Sequence, residues 1–139
     1  MSLTDWLKNG WLLKHPPHDR IEFEELLEVA DRDLHDCRTR GLSDDWRFGI
    51  AYNAALQLAR AALHWSGYEV PKGDSHHFRA IDSLRFTIGA DTKTTDTLQA
   101  YRKKRSVGVY EVAGMITKAD ADAMTQLAVG LRERVEKLA

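Results

Sequence analysis

The sequence is poor in the residues that cross-link or interrupt a chain, with one cysteine and three prolines among its 139 residues. The lone Cys37 cannot form an intrachain disulfide or a zinc site built from several cysteines, so a reducing compartment fits best. Pro16 and Pro17 are adjacent, and Pro71 stands alone. Because proline breaks helices, its scarcity leaves long blocks in which helices can form without interruption.

Long apolar runs and an excess of one charge are also lacking. No stretch approaches the ~18 apolar residues of a membrane span. The opening MSLTDWLKNG has neither the apolar core nor the cleavage site of a secretory signal. Lys plus Arg total 20 and Asp plus Glu total 21, a formal net charge of −1, which removes the usual argument for non-specific nucleic-acid binding. We therefore expect a cytoplasmic protein with no membrane segment.

The apolar residues that are present recur at i, i+3 and i+4, the spacing of amphipathic helices. Phe23, Leu27, Ala30 and Leu34 show it clearly, and no alternating pattern predicts a strand. The pattern predicts an all-α fold, an antiparallel bundle of four to five main helices preceded by a short helix. We expect one domain over residues 1–139, in which residues 1–19 form the short helix and a proline-containing loop.

Helix ends are predicted from capping residues and glycines. The expected N-terminal caps are Ser2 or Thr4, Ser43 with its two following aspartates, Ser75, one of Thr94, Thr95 and Asp96, and Thr117. The glycines expected to end helices are Gly41, Gly67, Gly89 and Gly114. Alanine is dense between residues 51 and 62, so the third helix is expected to be the most buried.

Four consecutive cations, Arg102 to Arg105, span about one helical turn between Tyr101 and Tyr110, so they cannot all face one way. Arg105 follows Tyr101 by four residues and precedes Val109 by four, which places it on the apolar side of its helix. A guanidinium there must be paired or line a cleft, because an unpaired buried charge costs several kcal/mol. The alternative is a solvated basic face, with the stem of Arg105 passing the edge of the core.

The stretch Arg-Ser-Val-Gly-Val-Tyr over residues 105–110 resembles the motif Arg-polar-x-x-x-His, found near the end of a late helix in HEPN domains. Arg105 and Ser106 match its first two positions, and Tyr110 stands where the family has histidine. The resemblance also covers the helix over residues 51–63, Gly67 with Tyr68, residues 75–78 and the closing helix from Thr117. In all it extends from Arg20 to Leu138.

The resemblance implies a helical bundle that pairs as a homodimer and brings two arginine motifs to one cleft. Catalytic members are metal-independent endoribonucleases, often toxins with a nucleotidyltransferase-like antitoxin as partner. Other members bind nucleotides or RNA without cleaving them. RNA or nucleotide binding is therefore expected of this chain, and RNA cleavage is left open.

By the same resemblance, Arg105 would stabilise the charge of the transition state, and Ser106 and Tyr110 would orient the 2′-hydroxyl or the departing oxygen. The remaining cations expected to bind the nucleotide or RNA are Arg102, Lys103 and Lys104. Arg102, Ser106 and Tyr110 also share a helix face by their i, i+4, i+8 spacing. Because a tyrosine pKa of about 10 makes a poor general base, the departure at Tyr110 favours binding over catalysis.

A rival interpretation is a non-catalytic protein-interaction module whose arginine motif is structural, which a carboxylate paired with Arg105 would favour. No metal and no cofactor are predicted. Of six histidines, His76 and His77 are adjacent and diverge on a helix, and no glycine-rich phosphate loop is present. Cys37 and the four tryptophans are expected in the core or at its edge, with an interface as the alternative for Trp6 and Trp11.

Overall fold

The computed structural model describes residues 1–73, 76–110 and 115–139, and for residues 106–110 it describes the backbone alone. Within these ranges the elements in chain order are α1 (Leu3–Lys8), β1 (Leu13–Lys14), α2 (Arg20–Asp36), α3 (Asp44–Trp65), β2 (Tyr68–Glu69), α4 (His76–Thr87), α5 (Thr92–Tyr110) and α6 (Lys118–Glu136). The predicted all-α bundle is confirmed. None of the described helices is both long and apolar enough to span a membrane.

The central helix is α3, which packs against α2, α4, α5 and α6. Its alanines are buried where the neighbouring helices approach, because a methyl side chain lets two backbones come close. Between these alanines, Phe48, Tyr52 and Leu58 supply the volume that fills the core. The prediction that this helix is the most buried is confirmed, and it makes α3 the support for side chains on α4 and α5.

Short local signals place several helix ends where the sequence predicts them. Ser2 and Thr117 each form a capping box with an aspartate three residues later, and Ser43 accepts a hydrogen bond from the backbone N–H of Trp46. Gly67, at φ 98°, follows the end of α3 in a left-handed conformation that favours glycine. The predicted ends at Ser75 and Gly114 lie outside the described residues.

The start of α5 differs from the prediction. The helix begins at Thr92, ahead of the predicted cap at Thr94, Thr95 or Asp96. The carboxylate of Asp91 accepts a hydrogen bond of 2.8 Å from the N–H of Thr94. Thr95 is buried inside the first turn, and its hydroxyl donates to the carbonyl of Thr92 at 3.2 Å. Asp91 satisfies the free N–H groups one turn earlier, so the threonines become helical residues.

A short antiparallel pairing of β1 with β2 corrects the expectation of loops without strands. Leu13 faces Glu69, and Lys14 faces Tyr68. Two residues are too short to show an alternating pattern, so the sequence carries no sign of this pairing. The pairing holds the N-terminal segment beside the end of α3, where a small separate core forms from Trp6, Leu12 and Leu63.

Trp46 departs from the expectation of packing in the core or at its edge. Its side chain is 64% exposed, whereas Phe48 is fully buried. The inward side of α3 in its first turns runs through Phe48, Ala51 and Tyr52, and Trp46 lies off this line. Cys37 is buried as predicted, and Trp6 is buried in the small core.

Candidate functional site around Tyr52

Arg105 of α5 lies against the ring of Tyr52 of α3. The centre of its guanidinium is 5.2 Å from the ring centroid, within the range of a cation–π contact. The Nε of Arg105 is buried and has no hydrogen-bond partner among the described residues. A buried N–H of a charged group without a partner is costly, so this atom marks a place where an acceptor can bind.

A cavity of about 220 Å³ opens beside Arg105. Its other lining residues include Asp33, Asp45, Trp46 and Asn53. Asp33 is bound by its neighbours, since it forms an ion pair of 3.2 Å with Arg32 and accepts a hydrogen bond of 2.6 Å from Asn53. The cavity therefore combines Arg105, an exposed indole, the carboxylate of Asp45 and a fixed carboxylate–amide pair.

No ion pair of Arg105 with a carboxylate is found among the side chains that the structure describes. Such a pair would have favoured a purely structural arginine. In its place, Arg105 meets an aromatic face and a cavity. The arginine is thus held in position while part of its hydrogen-bonding capacity stays unused.

The hydroxyl of Tyr52 lies 3.2 Å from Nδ1 of His77, and the two groups share a hydrogen bond. Burial raises the pKa of Tyr52 to about 12, and the charges of Arg105 and Arg102 act in the opposite direction. Tyr52 therefore keeps its proton near neutral pH. It contacts both His77 and Arg105, so it joins α3, α4 and α5 at one point.

The pKa of His77 lies below its usual value, first because of burial and then because of the positive charges of His76, Arg105, Arg102 and Arg60. His77 is consequently neutral at pH 7. The same charges that disfavour its protonated form also create a positive local potential. A bound anion would offset this potential and make the imidazolium more stable.

Arg102 lies about one turn before Arg105 on α5 and approaches the same region. Its Nε donates a hydrogen bond of 2.9 Å to Gln99, and its guanidinium lies 5.8 Å from the ring centroid of Phe78. The amide of Gln99 in turn donates to the backbone carbonyl of Phe78 at 3.0 Å and to Asp82 at 3.2 Å. These contacts fix Arg102 on the side of α5 that faces α4.

The other two predicted binding cations do not join this group. Lys104 forms an ion pair of 2.8 Å with Asp120 in the first turn of α6, and Lys103 is exposed. The four consecutive cations are thus divided among different directions, as the helical spacing requires. The side chains of Ser106 and Tyr110, predicted to act beside Arg105, lie outside the described residues.

Tyr52 and His77 are site residues that the sequence did not reveal. Tyr52 follows Phe48 by four residues and reads as core, and His77 reads as half of a diverging histidine pair. Their contact depends on how α4 packs across α3, which no local pattern encodes. We call Tyr52, His77, Arg102 and Arg105 together the arginine cluster.

A second polar cluster lies at the C-terminal end of α3 and was also missed. The two carboxylate oxygens of Glu22 contact Nε2 of His15 at 3.0 Å and Nδ1 of His64 at 2.5 Å. Burial alone would raise the pKa of Glu22, but the hydrogen bonds and charges of His64 and His15 hold it below its usual value. Burial lowers the pKa of His64, against the Glu22 hydrogen bond that raises it. The cluster offers two imidazoles and one carboxylate at one point.

Comparison with protein-family models, with curated proteins and with solved structures gave no match.

Proposed function

We propose that the protein is a HEPN-like helical bundle that binds a phosphate group of a nucleotide or RNA at the arginine cluster. The observation that carries this proposal is the buried Nε of Arg105, which has no hydrogen-bond partner among the described residues although its guanidinium borders a cavity. A phosphate supplies the missing acceptor, and a guanidinium can bind it through two parallel hydrogen bonds.

The positive charges of Arg102 and Arg105 also favour an anion at the cluster. Arg102 and Arg105 both shift the pKa values of Tyr52 and His77 in the direction expected for a positive environment. Bringing a phosphate to this point replaces an unfavourable like-charge arrangement by an attractive one. Tyr52 contacts both His77 and Arg105, so both groups are held in place before the phosphate binds.

The exposed Trp46 supports a nucleotide in particular. It lines the same cavity as Arg105 and is 64% exposed, so its indole can stack on a base while Arg105 holds the phosphate. Stacking of a base on an aromatic side chain is worth about 1–3 kcal/mol. Asp33 and Asn53, which are fixed to each other, supply an acceptor and an amide for the edge of the base or for the ribose.

The resemblance extends the proposal to assembly and location. If the chain is like HEPN domains in this respect, two chains pair as a homodimer and each contributes an arginine motif to a shared cleft. The protein then belongs to a cytoplasmic toxin–antitoxin system, with a nucleotidyltransferase-like antitoxin as its partner. RNA cleavage, if retained, uses no metal. Arg105 then stabilises the transition state, and Ser106 and Tyr110 orient the reacting oxygens.

The alternative is a protein-interaction module, and the same exposed Trp46 favours it. Tryptophan and arginine are the residues enriched at the energetic centres of protein interfaces. Under this alternative, a partner side chain covers Trp46 and its carboxylate reaches Arg105. The two proposals predict different results for a nucleotide or RNA offered without a protein partner. The nucleotide-binding bundle binds it, and the interaction module does not.

Calorimetric titration with adenosine 5′-monophosphate and with a short single-stranded RNA tests the proposal. We expect Arg105→Ala to weaken binding roughly 10- to 100-fold, the loss of hydrogen bonds to a charged group. The matched control is Lys103→Ala, an exposed cation on the same helix, for which a change below about twofold is expected. Affinity should fall steeply with salt as counterions are released. Equal losses from both variants, or no binding by the wild type, would contradict a defined phosphate site.

A further inference from the structure

The cluster of His15, Glu22 and His64 joins three separate segments of the chain. His15 lies in the loop after β1, Glu22 in the first turn of α2, and His64 in the last turn of α3. The loop is fixed by its backbone, since the N–H of His15 donates a hydrogen bond of 3.0 Å to the carbonyl of Gly67. The side chains of His15 and His64 are 11% and 12% exposed, and that of Glu22 is 33% exposed. The cluster is therefore sheltered and positioned by the fold.

The side-chain donors of these residues are spaced closely enough to share one ion. One ligand atom from each residue lies within 4.8 Å of the other two. In a tetrahedral zinc site with bonds of about 2.0–2.1 Å, neighbouring ligand atoms are about 3.4 Å apart. To reach that value, the contact of 3.0 Å between His15 and Glu22 must lengthen by a few tenths of an ångström and the contact of 2.5 Å between His64 and Glu22 by about 0.9 Å.

The hydrogen bonds of His15 indicate that a proton or a metal ion lies between its ring and Glu22. Its Nδ1 lies 2.8 Å from the backbone carbonyl of Pro16, which can only accept, so Nδ1 carries a hydrogen. In a neutral ring the lone pair of Nε2 then faces a carboxylate oxygen of Glu22 at 3.0 Å. Two lone pairs repel at that distance. A proton or a metal ion between them makes the contact favourable.

The bond from Nδ1 of His15 to the Pro16 carbonyl is also the support that metal-binding histidines have. A histidine that ligates through one ring nitrogen usually donates the hydrogen of the other to a carboxylate or a backbone carbonyl, which fixes its orientation. The ring of His15 further stacks on that of His64, with centroids 4.3 Å apart. The planes of the two rings are 26° apart. Because the lone pair of an imidazole nitrogen lies in the plane of its ring, the rings must tilt away from each other for Nε2 and Nδ1 to bind the same ion.

We propose that His15, Glu22 and His64 bind one Zn²⁺ ion through Nε2, a carboxylate oxygen and Nδ1. Two histidines and one glutamate are a ligand set that zinc uses when the fourth position is open to water or another ligand. His64 also lines a cavity of about 400 Å³ with Arg60 and Lys72, which gives such a ligand a way in. The site shares no residue with the arginine cluster, so it does not depend on phosphate binding there.

The sequence-based expectation of no metal considered the adjacent His76 and His77. The proposed ligands are separated by 7 and by 42 residues along the chain. They meet only because the loop before α2 returns to the end of α3. Zinc would link this loop to both helices and stabilise their junction.

Titration of the full, chelator-treated chain with ZnCl₂ tests the site. Calorimetry should give one Zn²⁺ per chain, and His15→Ala, His64→Ala and Glu22→Gln should each weaken binding by more than about tenfold, as expected when a ligand or its support is lost. The control is His35→Ala, an exposed histidine of α2, which should bind as the wild type does. Acidic pH should weaken binding because protons compete for the ligands.

Two further measurements keep the test decisive if a ligand variant unfolds. Zn²⁺ should raise the melting temperature of the wild type and of His35→Ala. Co²⁺ bound to the wild type should show the visible absorption of a four- or five-coordinate ion, and added Zn²⁺ should remove it. The proposal is wrong if the wild type binds no Zn²⁺, or if variants of all three ligands fold and bind it equally well. The three side chains would then be joined by hydrogen bonds without a metal ion.

Discussion

The hydroxyl of Tyr52 lies 3.2 Å from Nδ1 of His77 and links the most buried helix of the bundle to the first turn of α4. Because Arg105 lies over the ring of the same tyrosine, Tyr52 is the point through which α3 positions both a neutral imidazole and a guanidinium.

Phosphate binding should depend on pH through His77. In the free protein the pKa of His77 is lowered from 6.5 by burial and by neighbouring positive charges. A bound phosphate offsets those charges and raises this pKa, so binding takes up a proton between the two values. The contribution of His77 to affinity should thus be greatest below the free-state pKa and fall as pH rises through the bound-state pKa. Calorimetry with adenosine 5′-monophosphate from pH 5 to 8 measures this contribution as the difference from a variant without the imidazole, because the phosphate itself loses a proton at pH ~6.

The control for this pH dependence is His77→Asn, which keeps a polar side chain but cannot titrate. Its affinity should vary less with pH than that of the wild type. His76→Asn, one residue away, should retain most of the slope. An unchanged slope in His77→Asn would assign the proton to another group.

Tyr52→Phe should destabilise the protein by about 1–2 kcal/mol, because it removes a hydrogen bond and leaves His77 without this partner in a partly buried place. Chemical denaturation of wild type and variant measures the difference. Tyr68→Phe is the matched control, since its hydroxyl makes an exposed contact of 3.4 Å with Thr4. We expect that variant to differ by less than about 0.5 kcal/mol. Similar losses of stability in both variants would show that the Tyr52–His77 hydrogen bond stabilises the protein no more than an exposed hydroxyl contact does.

Wild-type cleavage of RNA should be slow or undetectable, because Tyr110 replaces the histidine of the resembling motif. Tyr110→His restores an imidazole five residues after Arg105. General acid–base catalysis is typically worth ~10²–10⁴-fold, so metal-independent cleavage should appear or rise in this variant. Gel analysis of a labelled RNA in the presence of a chelator measures it.

Arg105→Ala in the Tyr110→His background should abolish any gain. Rapid wild-type cleavage that survives Tyr110→Phe would mean that the tyrosine hydroxyl is not needed. A folded Tyr110→His variant without any gain would favour a binding or interaction module.

A homodimer should form if two arginine motifs share a cleft. Light scattering at micromolar concentration should then give about twice the chain mass of 15.8 kDa. Trp46→Ser, which changes an exposed side chain at the cavity beside Arg105, reports whether this face takes part. A single-chain mass across a wide concentration range would rule out the shared cleft.

The features that could be predicted from the sequence are those encoded over three or four residues. The caps at Ser2, Ser43 and Thr117 are local, because a side chain there reaches a backbone N–H only three residues ahead. The buried alanine-rich helix also follows from its own composition. At the start of α5 the predicted cap was wrong, because Asp91 caps the helix ahead of Thr94, Thr95 and Asp96.

The features that could not be predicted join distant parts of the chain. Tyr52 and His77 are 25 residues apart, and Glu22 and His64 are 42 residues apart. Their contacts depend on the packing of whole helices and on the return of the loop before α2. The inward position of Arg105 could be inferred from its spacing, but its partner Tyr52 could not.

The small core around Trp6 makes the N-terminal segment a separate unit of stability. In the described part of the chain its buried residues are Trp6, Leu12 and Leu63, and Leu63 is the one contributed by α3. Opening this segment exposes little apolar surface compared with unfolding the bundle, so it costs less free energy. Amide protons of α1 and β1 should therefore exchange with solvent through a local opening that costs little free energy. Those in the middle of α3 should exchange only when the whole bundle unfolds.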